Sequence, residues 1–307
     1  MLAGLDAFTS TFLSDLNTSE NRITQASQQL SSGYRVNQAS DDPGAIEAIL
    51  GFQSQIDQVT QTQSNLTQAT TIANVSDSAL ASASNMLDQL TSIAAQASSY
   101  TATAASRSSL AQQVQGIEQE LVTVANTTFG GRYVFGGDNT TTPPYTFNAT
   151  APGGVVRNNT SSNTVTITNS DGGTLTFPSQ TAQQIFDSQT SSGTPAASNI
   201  FQNVYALTQA LQNNDQTGVQ NAAISIQASV VQLGQATTTS GNSLDWLQQS
   251  SDAATSKLTN LQTELAGLRD ADVAQAATDL SSAQTAEQAA IAAHGSLQIK
   301  SLFSYLG

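Results

Sequence analysis

Apolar residues recur at helical spacing towards both ends of the chain and lose that spacing in the middle. From Phe12 to Leu30 they fall at Phe12, Leu16, Ile23, Ala26 and Leu30, which predicts one amphipathic helix. Gly33 stands where a left-handed residue would end that helix. The connector that follows, with Arg35, Asn37 and Asp41, reads as extended or turning chain. Asp42 and then Pro43 predict an N-cap and a first helical position, because the N–H that proline lacks is unbonded there in any helix.

A long helix is expected from Pro43 to about Ser98. Phe52, Val59, Leu66, Ala73, Leu80, Leu87 and Ala94 recur every seven residues, and Ile72, Ala79, Met86 and Ile93 form a second such row. Sustained heptads favour a coiled-coil-like bundle over an ordinary surface helix. After a break at 98–106, Leu110, Val114, Ile117, Leu121 and Val124 predict a helix over about 107–125, folded back as an antiparallel hairpin.

The texture changes at Asn126. Gly130-Gly131 and Gly136-Gly137 flank a β-prone core, and Gly, Pro, Thr and Asn then dominate to about Pro195. Thr164–Thr168 and Thr174–Phe177 alternate around Ser170-Asp171-Gly172-Gly173, which predicts a hairpin with Val165, Ile167, Leu175 and Phe177 on one face. Helix returns over about 199–212 and 219–233. A loop is expected at Thr237–Asn242, followed by a long helix from Leu244 whose phase slips at Arg269-Asp270-Ala271-Asp272. Beyond the slip, Val273, Leu280 and Ile291 lead to the apolar tail Leu302, Phe303 and Leu306.

The fold class that follows is mainly α: an elongated, coiled-coil-like helical bundle built from the N- and C-terminal segments, with a small inserted β domain. The expected domains are a terminal-helix pair (1–42 with 270–307), a coiled-coil bundle (43–135 with 196–269) and a β insertion (136–195). The terminal stripes are too thin to bury themselves alone, so the two terminal helices are expected to pair and then stack on other copies. Phe12, Leu16, Ile23, Leu30, Leu280, Ile291, Leu302, Phe303 and Leu306 are the expected assembly contacts, ordering as copies assemble.

Composition narrows the function. Only 10% of residues are charged, and 8 Lys and Arg stand against 22 Asp and Glu, for a net charge of -14. Without a basic cluster, neither nucleic acid nor an anionic membrane surface is an expected partner. There is no cysteine, which excludes disulfides and thiolate metal sites. The segment beginning MLAGLDAF has neither a basic region nor a continuous apolar run, so no cleaved signal peptide is expected. Catalytic chemistry finds little material: His294 is the single histidine and lies in an Ala-rich stretch. Asp41 and Asp42 read as capping groups rather than an acid–base pair, and Asp270 and Asp272 flank the phase slip. The glycine pairs lack the Lys and following helix of a phosphate loop. No cofactor, metal or enzymatic activity is expected.

Two blocks carry a family resemblance. Arg22 to Pro43, including Leu30-Ser31-Ser32-Gly33 and Ser40-Asp41-Asp42-Pro43, resembles the flagellin N-terminal signature that joins a terminal helix to a coiled-coil domain. Arg269-Asp270-Ala271-Asp272-Val273, followed by Ala-rich chain, resembles the matching C-terminal connector. Within the family, Asp42-Pro43, Ala125 to Gly137, Ala182 to Asp187 and Ser301-Leu302-Phe303 are more similar to hook–filament junction subunits than to filament subunits. This resemblance implies a self-assembled homo-oligomeric ring between a hook-proximal junction protein and flagellin. It also implies export through the flagellar type III apparatus to the cell exterior, with a cytoplasmic chaperone shielding the C-terminal helix beforehand.

Overall fold

The computed structural model describes every residue except Met1, 159–165, 169–173, 177–178, 191–193 and Gly307, and leaves out the side chains of 2–8, 166–168, 174–176 and 296–306. Seven α-helices are present among the described residues: α1 Leu2–Ser32, α2 Pro43–Ala97, α3 Ala104–Ala125, α4 Ala182–Phe186, α5 Ile200–Gln212, α6 Gln216–Arg269 and α7 Val273–Leu306. Between α3 and α4 lie three antiparallel strand pairs: β1 Thr128–Phe129 with β2 Arg132–Tyr133, β3 Tyr145–Phe147 with β4 Val155–Arg157, and β5 Thr166–Thr168 with β6 Thr174–Thr176. The mainly α class with a small β region is therefore observed. The chain forms two compact units, residues 1–58 with 256–307 and residues 59–255.

In the second unit α2, α3, α5 and α6 share one core. Leu80, Leu87, Leu90, Leu121, Val204, Leu207, Ile226 and Leu233 are all at most 1% exposed. The second buried row of α2 is not the one the heptads suggested. It runs through Thr62, Ala83, Leu90 and Ala97, while of the expected row Ala79 is buried and Ile72, Met86 and Ile93 are half-buried, the last two packed against the core. Small residues on that row let neighbouring helices approach closely, so the tighter face carries the weaker hydrophobic signal.

Residues 237–242 are not a loop but lie within the uninterrupted 54-residue α6. Leu233, Ala236, Ser240, Ser243 and Leu247 keep the three-and-four spacing, and all are buried. The threonines that suggested a loop bond back onto the helix: the hydroxyls of Thr237, Thr238 and Thr239 donate to the carbonyls of Leu233, Gly234 and Gln235 at 2.9–3.0 Å. At the other end, α1 begins well before Phe12, because Leu2, Ala3, Leu5 and Ala7 favour helix.

The β region closes on the same core. Gly130 and Gly131, with φ of +58° and +77°, turn β1 into β2. Phe135, Tyr145, Phe186 and Phe201 form a buried aromatic group with ring centroids 4.9–6.1 Å apart. Beside it, Asp187 accepts from Arg157 Nε at 2.6 Å, Tyr145 Oη at 3.2 Å and Asn199 Nδ2 at 2.8 Å, pinning β3 and β4 to the start of α5. Burial pushes the Tyr145 phenol up, and the neighbouring Asp187 charge adds to this. The register of β5 and β6 sets Ile167 opposite Leu175. The intervening turn at Ser170–Gly173, with Val165 and Phe177, lies outside the described residues.

Gly241 lies in mid-helix with open space where a side chain would stand. Gly241→Ala should therefore stabilise the protein by about 0.5–1 kcal/mol, and Gly241→Pro should destabilise it by about 3 kcal/mol or more. Chemical denaturation checks both, and a loop at this site would tolerate either change.

Candidate functional site: the paired terminal helices and their connector

The first unit is organised by two chain breaks that lie side by side. Gly33 ends α1 at φ +76°, with its N–H donating to Gln29 O at 2.8 Å. The chain then runs antiparallel to the break between α6 and α7. The N–H groups of Arg35 and Val36 donate to Arg269 O at 2.7 and 3.2 Å, and Ala271 N–H donates to Gly33 O at 2.9 Å. The side chains repeat this stitching. Arg269 places its guanidinium 3.9 Å from the centre of the Tyr34 ring and lies 3.5 Å from the Asp270 carboxylate. Arg35 donates to Leu268 O at 2.6 Å and to Asp42 Oδ2 at 3.0 Å.

The acidic residues of the connector hold backbone ends. Asp41 Oδ2 accepts from the N–H groups of Asn37 and Gln38, both at 2.9 Å, and Asn37 Nδ2 donates to Tyr34 O. Asp42 Oδ1 accepts from Ala45 N–H at 3.1 Å, capping α2 with Pro43 at its first position. Asp272 Oδ1 accepts from Ala274 and Gln275 N–H at 2.9 and 3.0 Å and caps α7. Bonds from the Gln38 and then the Asn37 backbone hold the Asp41 carboxyl below its usual range. The Arg35 hydrogen bond, then the Ala45 N–H, does the same for Asp42. Beneath the connector Val36 packs with Ile49 and Leu265, and Ala45, Ile46, Phe52, Ile56 and Leu268 surround them.

From this stitch α1 and α7 run together. On α1 the seam is Phe12, Leu16, Ser19, Ile23, Ala26 and Leu30; on α7 it is Ala276, Leu280, Ala283, Glu287, Ala290 and His294. Ser19 Oγ donates to Ala283 O at 3.0 Å, and Phe12 stacks on His294 at 4.1 Å between ring centres. Only Ala26, Ala276 and Ala283 are fully buried, so Phe12, Leu16, Ile23, Leu30 and Leu280 are each left partly uncovered. Ile291 is off the seam and 52% exposed. Leu13, at 57% exposure, escaped the sequence reading, and Val273, read as part of the C-terminal stripe but not as an assembly contact, is 55% exposed. Leu13 breaks the three-and-four pattern of its seam, which is the signal that could have found it, whereas Val273 continues the spacing of the α7 seam, three residues before Ala276, and is exposed at the first position of the helix. An open groove of about 800 Å³ follows the pair, lined by Asp15, Thr18, Arg22 and Gln25 of α1 and Asp279 and Ala286 of α7. The backbone of Leu302, Phe303 and Leu306 lies in α7, and their side chains are outside the described residues.

Among the described residues, no group of three His, Asp or Glu side chains is placed to hold a metal. No helix there is long and apolar enough to cross a membrane. The site consists of helix faces and caps, an arrangement suited to packing against other protein.

Two chain ends paired as helices and joined by a stitched connector form a surface suited to helical assembly, and comparison shows what the chain is similar to. Residues 7–140 match the family described as the bacterial flagellin N-terminal helical region. The chain is 35% identical over 120 residues to flagellar hook-associated protein 3 of Escherichia coli, covering 38% of each. It is 30% identical over 129 residues to B-type flagellin of Pseudomonas aeruginosa, covering 42% of this chain and 26% of that one. The chain thus spans well under half the length of these curated relatives. Its fold is shared with the crystal structure of flagellar hook-associated protein 3 from Legionella pneumophila, at a TM-score of 0.61 and 15% identity over 73% of this chain and 98% of that one.

The carboxyls of Asp41 and Asp42 stabilise the connector only while ionised. Their contribution is present above the ordinary aspartate value of 3.8 and is lost as pH falls through the lower folded values. Thermal unfolding at about pH 6 and about pH 3 should show a smaller acid-induced drop in Asp41→Asn and Asp42→Asn than in the unmodified chain.

Proposed function

We propose that this chain is a non-enzymatic structural subunit of the bacterial flagellum, self-assembling through its terminal helices into the junction ring between hook and filament. The observation that carries the reading is the α1–α7 pair, which leaves Leu13 and Ile291 uncovered on its outer faces. A pair so thinly sealed gains more by stacking on neighbours than by standing alone. The junction role is supported by the hook-associated protein 3 relative and by the shared fold. In this reading Phe12, Leu16, Ile23 and Leu30 hold α1 to α7, and Leu280 does so from the other side. Ile291, Leu302, Phe303 and Leu306 meet neighbouring copies. The hook-proximal junction protein and flagellin flank the ring, a cytoplasmic chaperone shields the C-terminal helix, and the subunit reaches the cell exterior through the flagellar type III apparatus.

A second reading, a short filament subunit, is favoured by the similarity to B-type flagellin. The two predict different cells. Deleting the gene should leave intact hooks without filaments, with flagellin shed into the medium, as seen by electron microscopy. Normal filaments on normal hooks would remove the junction role. Long filaments grown from the purified chain on seeds would establish the filament reading in its place.

A further inference from the structure

Glu118 lies in the middle of α3, on the face that carries Val114, Ile117 and Leu121 into the core. It is 1% exposed, and its Oε1 atom has no hydrogen-bond partner among the described residues. Burying a carboxylate without a partner is costly, so such a group is normally paired or neutral. What covers it is a turn that only glycine can make. In Pro152–Gly154, Gly153 and Gly154 are buried at φ +74° and +70°, and a Cβ on Gly154 would collide with the Glu118 carboxyl. Gly153 rests against Gln202 of α5. The turn is closed by Gly154 N–H donating to Ala151 O and Asn148 N–H donating to Gly154 O, at 2.9 and 2.8 Å. Immediately after it, Val155 packs on the core with Phe147.

Among the described residues, no cation balances Glu118. On α3 itself, Arg107 donates to Ala97 O and Asn214 Oδ1, and Glu120 is exposed. Tyr205 is the one titratable residue of α5, and the glycine turn has none. Tyr145 of β3 and Arg157 of β4 are both engaged by Asp187. The acidic residues of α2 and α6 in this unit, Asp77, Asp88, Asp245 and Asp252, and Asp215 just before α6, lie outside the core and add only negative charge.

We propose that Glu118 is a pH-sensitive latch: as a neutral acid it seats the Gly153–Gly154 turn, and its ionisation releases the turn and the β3–β4 pair from α3 and α5. Burial pushes its carboxyl from the ordinary 4.5 up to about 8. The closed form then binds the proton that the open form gives up. Closure is strongest below the ordinary value and weakens as pH rises through the window up to about 8. One proton released on opening corresponds to about a tenfold change in the opening equilibrium per pH unit.

Hydrogen exchange of the Asn148, Gly154 and Asn158 amides, which donate to Gly154 O, Ala151 O and Pro144 O, tests this in the full chain between about pH 5 and pH 9 once corrected for intrinsic rate. Protection should fall about tenfold per pH unit and level off near the folded value, while amides of Leu87 and Leu90 hold theirs. In Glu118→Gln, which cannot ionise, protection at the same three amides should be independent of pH. The same fall in both proteins overturns the latch. A carbon-13 titration of Glu118 in the unmodified chain provides a test that needs no variant: a midpoint near the ordinary glutamate value overturns it, and one near 8 supports it.

Discussion

The antiparallel stitch between Gly33–Val36 and Arg269–Ala271 is the constraint on which the first unit depends. Each break frees backbone groups that a continuous helix would have bonded internally. Here each break satisfies the other: Arg269 O takes the N–H groups of Arg35 and Val36, and Gly33 O takes that of Ala271. Because these bonds join residues far apart in sequence, they set the register in which α1 meets α7 and place Val36 over Ile49 and Leu265. A helix end left unbonded there would cost more than the thin seam of α1 and α7 could offset. The connector after α1 and the connector before α7 therefore act as one structural device.

Low charge and abundant Ser, Thr, Gln and Asn fit this plan. Many hydroxyls bond to the carbonyl one turn back, as Thr67, Thr70, Ser78 and Ser82 do, so polar side chains occupy helix surfaces without seeking partners elsewhere. Small buried residues such as Ala83, Ala94 and Ala97 allow close helix approach in the second unit. Alanine seams in the first unit have the opposite consequence. They cover little apolar area, which leaves Leu13, Val273 and Ile291 for whatever lies outside the chain.

What was legible in the sequence was what large side chains and special backbone residues announce. The row Val59, Leu66, Leu80 and Leu87 is buried where the heptads put it, and Gly33, Asp42 and Pro43 mark helix boundaries through stereochemistry that other residues lack. The second seam of α2 was hidden because Thr62, Ala83 and Ala97 give almost no hydrophobic signal. The continuity of α6 was hidden because threonine, glycine and asparagine favour loops until packing overrides them. Glu118 sits four residues after Val114 and three before Leu121, inside the apolar arc, yet only the glycine turn folded over it reveals a buried acid. The stacking of Arg269 on Tyr34 joins residues that no local pattern connects.

The central claim is that the outer faces of α1 and α7 are uncovered in the single chain and covered in the assembly. The chain contains no cysteine, so single thiols can report on those faces without background. Leu13→Cys and Ile291→Cys chains should react readily with a maleimide in solution and become protected in assembled flagella. Equal labelling in the two states would contradict the assignment of the paired terminal helices as the assembly surface.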